Sequence, residues 1–432
     1  MYSKKKSRKR FAFSTWWRAE ASLDLNFILN EVYRSIEPGV IRDANTLITT
    51  TRASTAYADN VAGVWSPFLD DIPRITNKGL LVEEARTNSI RNNSMQGAVA
   101  GTPGTAPTNW NSGHPGLTRT IVGTGSENGI DYIDIRISGT TGSVSNNINF
   151  EAQTGIAAVN GQTWASGVFL AVVAGSFTNI TDIAVRSAIH SVAPTYLGEV
   201  WVPTFHTSLP ASLTAASRRS ETGTIANAST AWIQPYIQFR WSSGVAVDIT
   251  IRIGWPQLEL GSFVTSPIRT TTAAATRAAD VIYTALTPNE TNLSLYIEFL
   301  GMNAGRPTNV VGGLGLGTTF SKSLYLARAT STNVINWNPD ASEANISLSM
   351  SAAPDGVVYK AAMAIAANDA AASSNGGSIV TDAGCAIPTG MTRFYFGAAP
   401  WNPTSNIFNG YIRHVTYFPA RFTNAQLQAL TA

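Results

Sequence analysis

The clearest order along the chain is a period-two alternation of apolar and polar positions. In Val247-Asp-Ile-Thr-Ile-Arg-Ile253, four β-branched residues alternate with Asp248, Thr250 and Arg252 without interruption. That pattern predicts a strand with one face in a core and the other toward water. Tyr132 to Ile137 repeats it, with Ile133, Ile135 and Ile137 opposed to Asp134 and Arg136. Later, Leu293, Leu295, Ile297 and Phe299 alternate with Ser294, Tyr296 and Glu298, and Ile346, Leu348 and Met350 with Ser347 and Ser349. Trp164 to Val173 and Trp232 to Trp241 are aromatic and β-branched runs between long polar loops.

Two local departures are informative. In Gly410-Tyr-Ile-Arg-His-Val-Thr-Tyr417, Ile412 and Val415 cannot share one face of a regular strand, which predicts a β-bulge around Arg413 and His414. Thr423-Asn-Ala-Gln426 has the form of a capping box, with Leu427 and Leu430 on the next turn, and predicts a short closing helix. Residues 95–130 are punctuated by Gly101-Thr-Pro-Gly104 and Ser112-Gly-His-Pro-Gly116 and read as loop with short strands. Ser22 to Ile36 suits a strand or a short helix equally.

The pattern implies an all-β fold of two antiparallel β-sandwiches. A jelly-roll-like sandwich is expected over 90–265 and a second over 281–432. Between them, 266–280 has almost no large apolar side chain and reads as an extended strap. Residues 41–89 read as a connecting region packed on the sandwiches, and 1–40 as an extended attachment segment.

Composition agrees with this picture. Charged residues are 13% of the chain, while small and polar residues abound, which is poor helix material and suits sandwiches with many turns. A length of 432 residues calls for more than one core. The formal net charge is +3, but Lys4, Lys5, Lys6, Arg8, Lys9 and Arg10 precede any acid, so the remainder carries −3. The body is therefore no polyanion binder. The basic run reads as an assembly anchor onto a neighbouring protein, with nucleic acid the weaker alternative. The lone Cys385 excludes an intramolecular disulfide or a multi-cysteine metal site. Phe11 to Trp17 is too short for a signal-peptide core, and no stretch approaches a transmembrane span.

Three segments carry a family resemblance. Gly79-Leu-Leu-Val-Glu-Glu-Ala-Arg-Thr-Asn88, after Pro73-Arg74-Ile75, resembles a segment recurring in phage tail and virion surface proteins. Trp255-Pro-Gln-Leu-Glu-Leu-Gly-Ser-Phe263, running through Thr265-Ser-Pro-Ile-Arg-Thr270 to Thr276-Arg-Ala-Ala-Asp280, is similar to the end of their carbohydrate-binding-module-like jelly roll, although Ser266-Pro-Ile268 stands where Tyr-Ile-Pro is usual. Phe408-Asn-Gly-Tyr-Ile-Arg-His-Val-Thr-Tyr-Phe418, with the Thr423 helix, resembles the last strand and cap of a concanavalin-like, laminin-G-type sandwich. The resemblance covers roughly residues 40–432. It implies a structural subunit of a tailed-bacteriophage virion, as a tail fibre, a homotrimer if it forms one, or a capsid decoration, attached to other virion proteins through its N-terminal region.

Chemistry-bearing residues favour binding over catalysis. Adjacent Glu83 and Glu84 point to opposite faces of a strand and are expected to pair with Arg86 or Arg91 at a domain junction. Asp70 and Asp71 precede Ile72-Pro73 in a turn setting, and Glu298 faces outward. No carboxylate pair of the kind a polysaccharide-cleaving tail spike needs can be assembled, so no enzyme is expected. His114, His190, His206 and His414 lack ligand spacing, so no metal site is assigned. Calcium in a rim loop would draw on Asn338, Asp340 or Asp355. Val311-Gly-Gly-Leu-Gly-Leu-Gly317 lacks the Lys-Ser/Thr of a phosphate loop and reads as a turn or tightly packed strand. No cofactor is expected. Trp110, Trp337 and Trp401 stand beside Asn, Pro, Ser or Asp and are the candidates for stacking on a host-surface sugar, against a rim-packing role for each.

Overall fold

The structure is a computed structural model that describes residues 20–34, 41–113, 116–302, 309–320, 322–329, 332, 334–339 and 347–432. The basic run Lys4 to Arg10, His114, Asp340 and Ile346 lie outside the described residues. Antiparallel strands dominate, and the helix Asn424–Thr431 closes the chain. Thr423 Oγ1 accepts from the Gln426 amide while the Gln426 side chain accepts from the Thr423 amide, the expected capping box. Among the described residues no helix is long and apolar enough to cross a membrane.

The first sandwich packs two sheets. One runs Asn111–Gly113, Ser145–Asn149, Trp232–Trp241, Ile180–His190, Tyr196–Glu199, with Phe205–His206 also on Ile180–His190. The other runs Leu117–Glu127, Ile130–Thr140, Ala246–Leu260, Thr163–Gly175, Arg218–Thr224. The predicted alternation holds in both central strands. Ile133, Ile135, Ile137, Ile249, Ile251 and Ile253 all enter one core. Their polar neighbours form cross-strand ion pairs, Arg136 to Asp248 at 2.7 Å and Arg252 to Asp134 at 2.8 Å.

The second sandwich is built from both ends of the chain. One sheet includes Asn292–Gly301, Val358–Ala366 and Gly410–Phe418, extended by Leu23–Asn26, Glu31–Arg34 and Gly79–Val82. Ser22 to Ile36, left open above, is thus a strand pair where it is described, and the 41–89 region contributes strands rather than only packing on them. The bulge falls where the parity change predicts: Glu298 pairs with His414 and Phe299 with Ile412, so Arg413 is the extra residue. The facing sheet runs Leu348–Ala352, Val334–Pro339, Leu324–Arg328, Asn309–Gly315, Arg393–Phe396, Val281–Ala285, Thr49–Thr51. The glycine-rich run is a buried central strand of that sheet.

The first two resembling segments, with Arg52, meet in one buried junction. Arg74 Nη1 lies 2.6 Å from Glu83 Oε2 and Arg277 Nη1 3.1 Å from the same oxygen, while Arg52 Nη1 is 2.9 Å from Asp280 Oδ1. Arg74 Nη2 also binds Asp280. Every one of these side chains is at most 1% exposed. Burial pushes the Glu83 carboxyl up, but Arg277, Arg74 and the Ser266 hydrogen bonds outweigh it and hold its pKa at about 2. Ser266 donates both its amide (2.8 Å) and its hydroxyl (2.5 Å) to Glu83. A proline at that position would have no amide to give. Asn88 accepts from the amides of Leu258 and Ile90 and donates to the Ile268 carbonyl, tying the first sandwich to the strap. The strap holds no apolar core because its task is polar.

Several acidic residues differ from expectation. Glu84 does pair with Arg86, at 2.6 Å, but Glu83 takes Arg74 and Arg277, and Arg91 takes Glu151. Glu298 binds Arg413 at 2.6 Å rather than standing free in water. Asp71 accepts from the Arg52 amide, a residue remote in sequence, instead of capping its own turn.

Candidate functional site

The three candidate tryptophans are not brought together. Trp110 is buried in the first core, its Nε1 donating to the Asn92 carbonyl at 2.8 Å and its ring edge-on to Phe150 at 4.8 Å. Trp337 is fully buried in the second core, since Ile335 and Trp337 face inward while Asn336 and Asn338 face outward. Neither presents a ring face to a ligand, so both sugar-stacking assignments are corrected to core packing.

Trp401 is different, being half-buried on a loop between Arg393–Phe396 and the last strand. Its ring centroid lies 4.6 Å from Phe320 and 4.7 Å from Tyr325, both edge-on. Phe320 is 44% exposed, a large aromatic surface left in water. Pro400 packs so tightly on Gly315 that a Cβ there would approach it to 2.5 Å, which fixes the loop to the sheet.

The strand register extends this group across the sheet. Leu324, Leu326, Leu314, Phe394, Phe396 and Ile282 face the core, so their neighbours face outward. In register these read Asn338, Tyr325, Gly313, Tyr395, Tyr283, Thr49. The Arg393 guanidinium lies 4.4 Å over the Tyr283 ring and donates to the Tyr395 hydroxyl at 3.3 Å. Tyr395 itself is 1% exposed and lies beneath Gly317, so the accessible aromatic platform is Phe320, Trp401, Tyr325 and Tyr283, edged by Arg393 and Asn338, with no carboxylate among these residues. Tyr325, Tyr283 and Phe320 were missed in sequence because only the fold brings them together.

The remaining candidates are structural. Asp24 accepts from His414 Nε2 and, at 2.8 Å, from Thr416 Oγ1, but Thr416 is buried and its proton is committed to the carboxylate. Such a group holds the N-terminal strand to the last strand and offers no nucleophile. Among the described residues no three His, Cys, Asp or Glu side chains converge as metal ligands. Of the calcium candidates, Asp355 pairs with Arg328 at 2.8 Å, and Asn338 donates to the Asn336 carbonyl.

These features define the class: an all-β protein of two antiparallel sandwiches clamped by a buried polar junction. No family model and no curated protein matches the chain. Among solved structures it is similar to the CBM40 of a Ruminococcus gnavus IT-sialidase bound to α2,3-sialyllactose, at 17% identity and TM-score 0.30, covering 33% of this chain and 83% of that one. It is similar to NanB sialidase from Streptococcus pneumoniae at 11% identity and TM-score 0.29, covering 34% of this chain and 25% of that one. A heptameric SAP-like pentraxin from Limulus polyphemus matches at 12% identity and TM-score 0.25, covering 34% and 72%. Likenesses of this extent say nothing about what this chain binds.

Proposed function

We propose that the chain is a non-catalytic attachment subunit of a tailed-phage virion, which contacts a surface glycan through the aromatic platform around Trp401. The observation that carries the ligand part is the exposed Phe320 ring beside half-buried Trp401 and Tyr325. Aromatic faces of this kind take the apolar C–H face of a pyranose, and the nearby Arg393 and Asn338 supply donors to ring hydroxyls. A catalytic reading would need two carboxylates some 5–9.5 Å apart across the bound sugar, and the platform residues supply none. The virion part is supported by the three resembling segments, and in that setting the basic run Lys4 to Arg10 docks onto another virion protein. Weak single sites would be strengthened by copy number, as in a homotrimeric fibre.

The test is glycan-array and host-cell binding by the purified chain and by W401A. Loss of an aromatic anchor should weaken binding on the order of tenfold or more while the melting temperature holds. Equal binding by both proteins would remove the platform. Silence of the wild type towards all glycans, with stoichiometric binding to phage heads, would favour a decoration that only coats the shell, and release of reducing ends from host polysaccharide would revive a depolymerase.

A further inference from the structure

The outward face of the first sandwich's Ile180–His190 sheet gathers polar atoms that the fold buries and leaves without partners. Ile183, Val185 and Ile189 enter the core, so Arg186, Ala188 and His190 line the opposite face. Beside them stand Tyr236, Gln234 and Trp232 in register, and on the other side Glu199 opposes Ala188 and Tyr196 opposes His190. A small methyl is thereby ringed by seven large side chains. Glu199 Oε1 accepts from the Tyr236 hydroxyl at 2.6 Å and the Tyr196 hydroxyl at 3.1 Å, with Arg186 Nη1 at 3.6 Å. Its other oxygen, Arg186 Nε and Trp232 Nε1 are buried with no hydrogen-bond partner, and the buried His190 ring has the Gln234 side chain beside it. His190 itself is 2% exposed.

Folded domains rarely leave so many buried polar atoms unpaired in one place. Their chemistry specifies what would pair them. Burial lowers the pKa of His190 against the opposing pull of Gln234 and Glu199, so the ring is neutral, and the nitrogen not engaged by Gln234 is open to a ligand hydroxyl. Glu199 Oε2 is an acceptor and the indole N–H a donor. Hydroxyl groups both give and take hydrogen bonds, so a polyol satisfies this mixed set where a purely anionic or cationic ligand cannot. The Glu199 carboxylate repels an acidic sugar, and the nearby Arg186 is already held by it. We propose that this face, centred on Glu199, His190 and Trp232, binds a neutral saccharide, as a site separate from the Trp401 platform. It shares with the attachment reading only the class of ligand. Tyr196, 58% exposed on a four-residue edge strand and edge-on to His190 at 6.2 Å, forms the outer wall of the site.

The experiment is a glycan array carrying neutral and sialylated oligosaccharides, probed with the wild type, W401A, and W401A combined with E199Q or with Y196A. W401A should lose the platform's share of binding but keep a residual neutral-glycan signal, and E199Q in that background should weaken that residual signal about tenfold or more, as for a lost charge-assisted hydrogen bond. Y196A, at an exposed position that threatens folding little, should weaken it too. The proposal is overturned if W401A alone abolishes all binding, if E199Q and Y196A leave neutral-glycan binding unchanged, or if sialylated glycans are preferred. Equal binding by wild type and W401A, lost on E199Q, would instead sink the platform and leave this site standing.

Discussion

Glu83→Gln isolates the charge at the centre of the junction without changing its size. In the folded chain the carboxyl is fully buried and held at about 2, against an ordinary 4.5. At about 1.4 kcal/mol per pH unit, that depression contributes on the order of 3 kcal/mol to folding at neutral pH. The figure agrees with the roughly 3–5 kcal/mol expected when one partner of a buried pair is removed and the guanidinia of Arg74 and Arg277 are left under-compensated. The sign fixes the pH profile. A depressed carboxyl gives stability that is fully present above pH 4.5 and is lost as pH falls towards 2. Wild type and E83Q should therefore differ by about 3 kcal/mol at pH 7 and converge as the pH drops through that window. Urea unfolding followed by tryptophan fluorescence reads both quantities. A gap at pH 7 below 1 kcal/mol, or one that persists undiminished at pH 2.5, would refute the account of the junction.

Two further substitutions probe the corrected and the unused residues. Trp337→Ala empties a fully buried position and should cost about 3–5 kcal/mol in unfolding experiments, with glycan binding per folded molecule unchanged; a mild cost would return Trp337 to the surface. Cys385 is buried, and burial raises its thiol pKa, so a thiol reagent at pH 8 should label the native chain far more slowly than the urea-unfolded one, and equal rates would show that the core around it is open.

Alternation made the cores legible because a strand's period leaves no choice of face once one face is buried. The bulge at Arg413 and the Thr423 cap were legible for the same reason, being local departures from a local rule. Trp337 was misjudged although Ile335-Asn-Trp-Asn338 carries the same signal, with tryptophan on the inward phase; the polar neighbours suggested a loop when they marked the other face of a strand. Trp110 gave no such warning, since its burial depends on the Asn92 carbonyl and the Phe150 ring. Both candidate faces were invisible for a third reason. Tyr283, Tyr325 and Tyr395 are aligned by cross-strand register between segments far apart in sequence, and so are Arg186, Glu199 and Tyr236. Periodicity says which face a residue takes but not which strand lies beside it.

The recognisable segments and the candidate ligand faces occupy different parts of the molecule, and the energetics explain why. Gly79 has φ +128°, and a Cβ there would come within 2.5 Å of the Ile412 carbonyl oxygen, so the first segment is fitted to the last strand. Glu83, Asn88, Ser266, Arg277 and Asp280 fix one another through buried charges and amides. Any one of them is costly to exchange alone, at about 3–5 kcal/mol for a broken buried pair. An outward side chain such as Phe320 or Tyr196 can change for about 0.5 kcal/mol or less. A sequence signature built on the junction therefore reports the body plan, while side chains on the sheet faces can vary with little cost to folding. That separation is why the resemblance implies an architecture and says nothing of the faces around Trp401, Phe320 and Glu199.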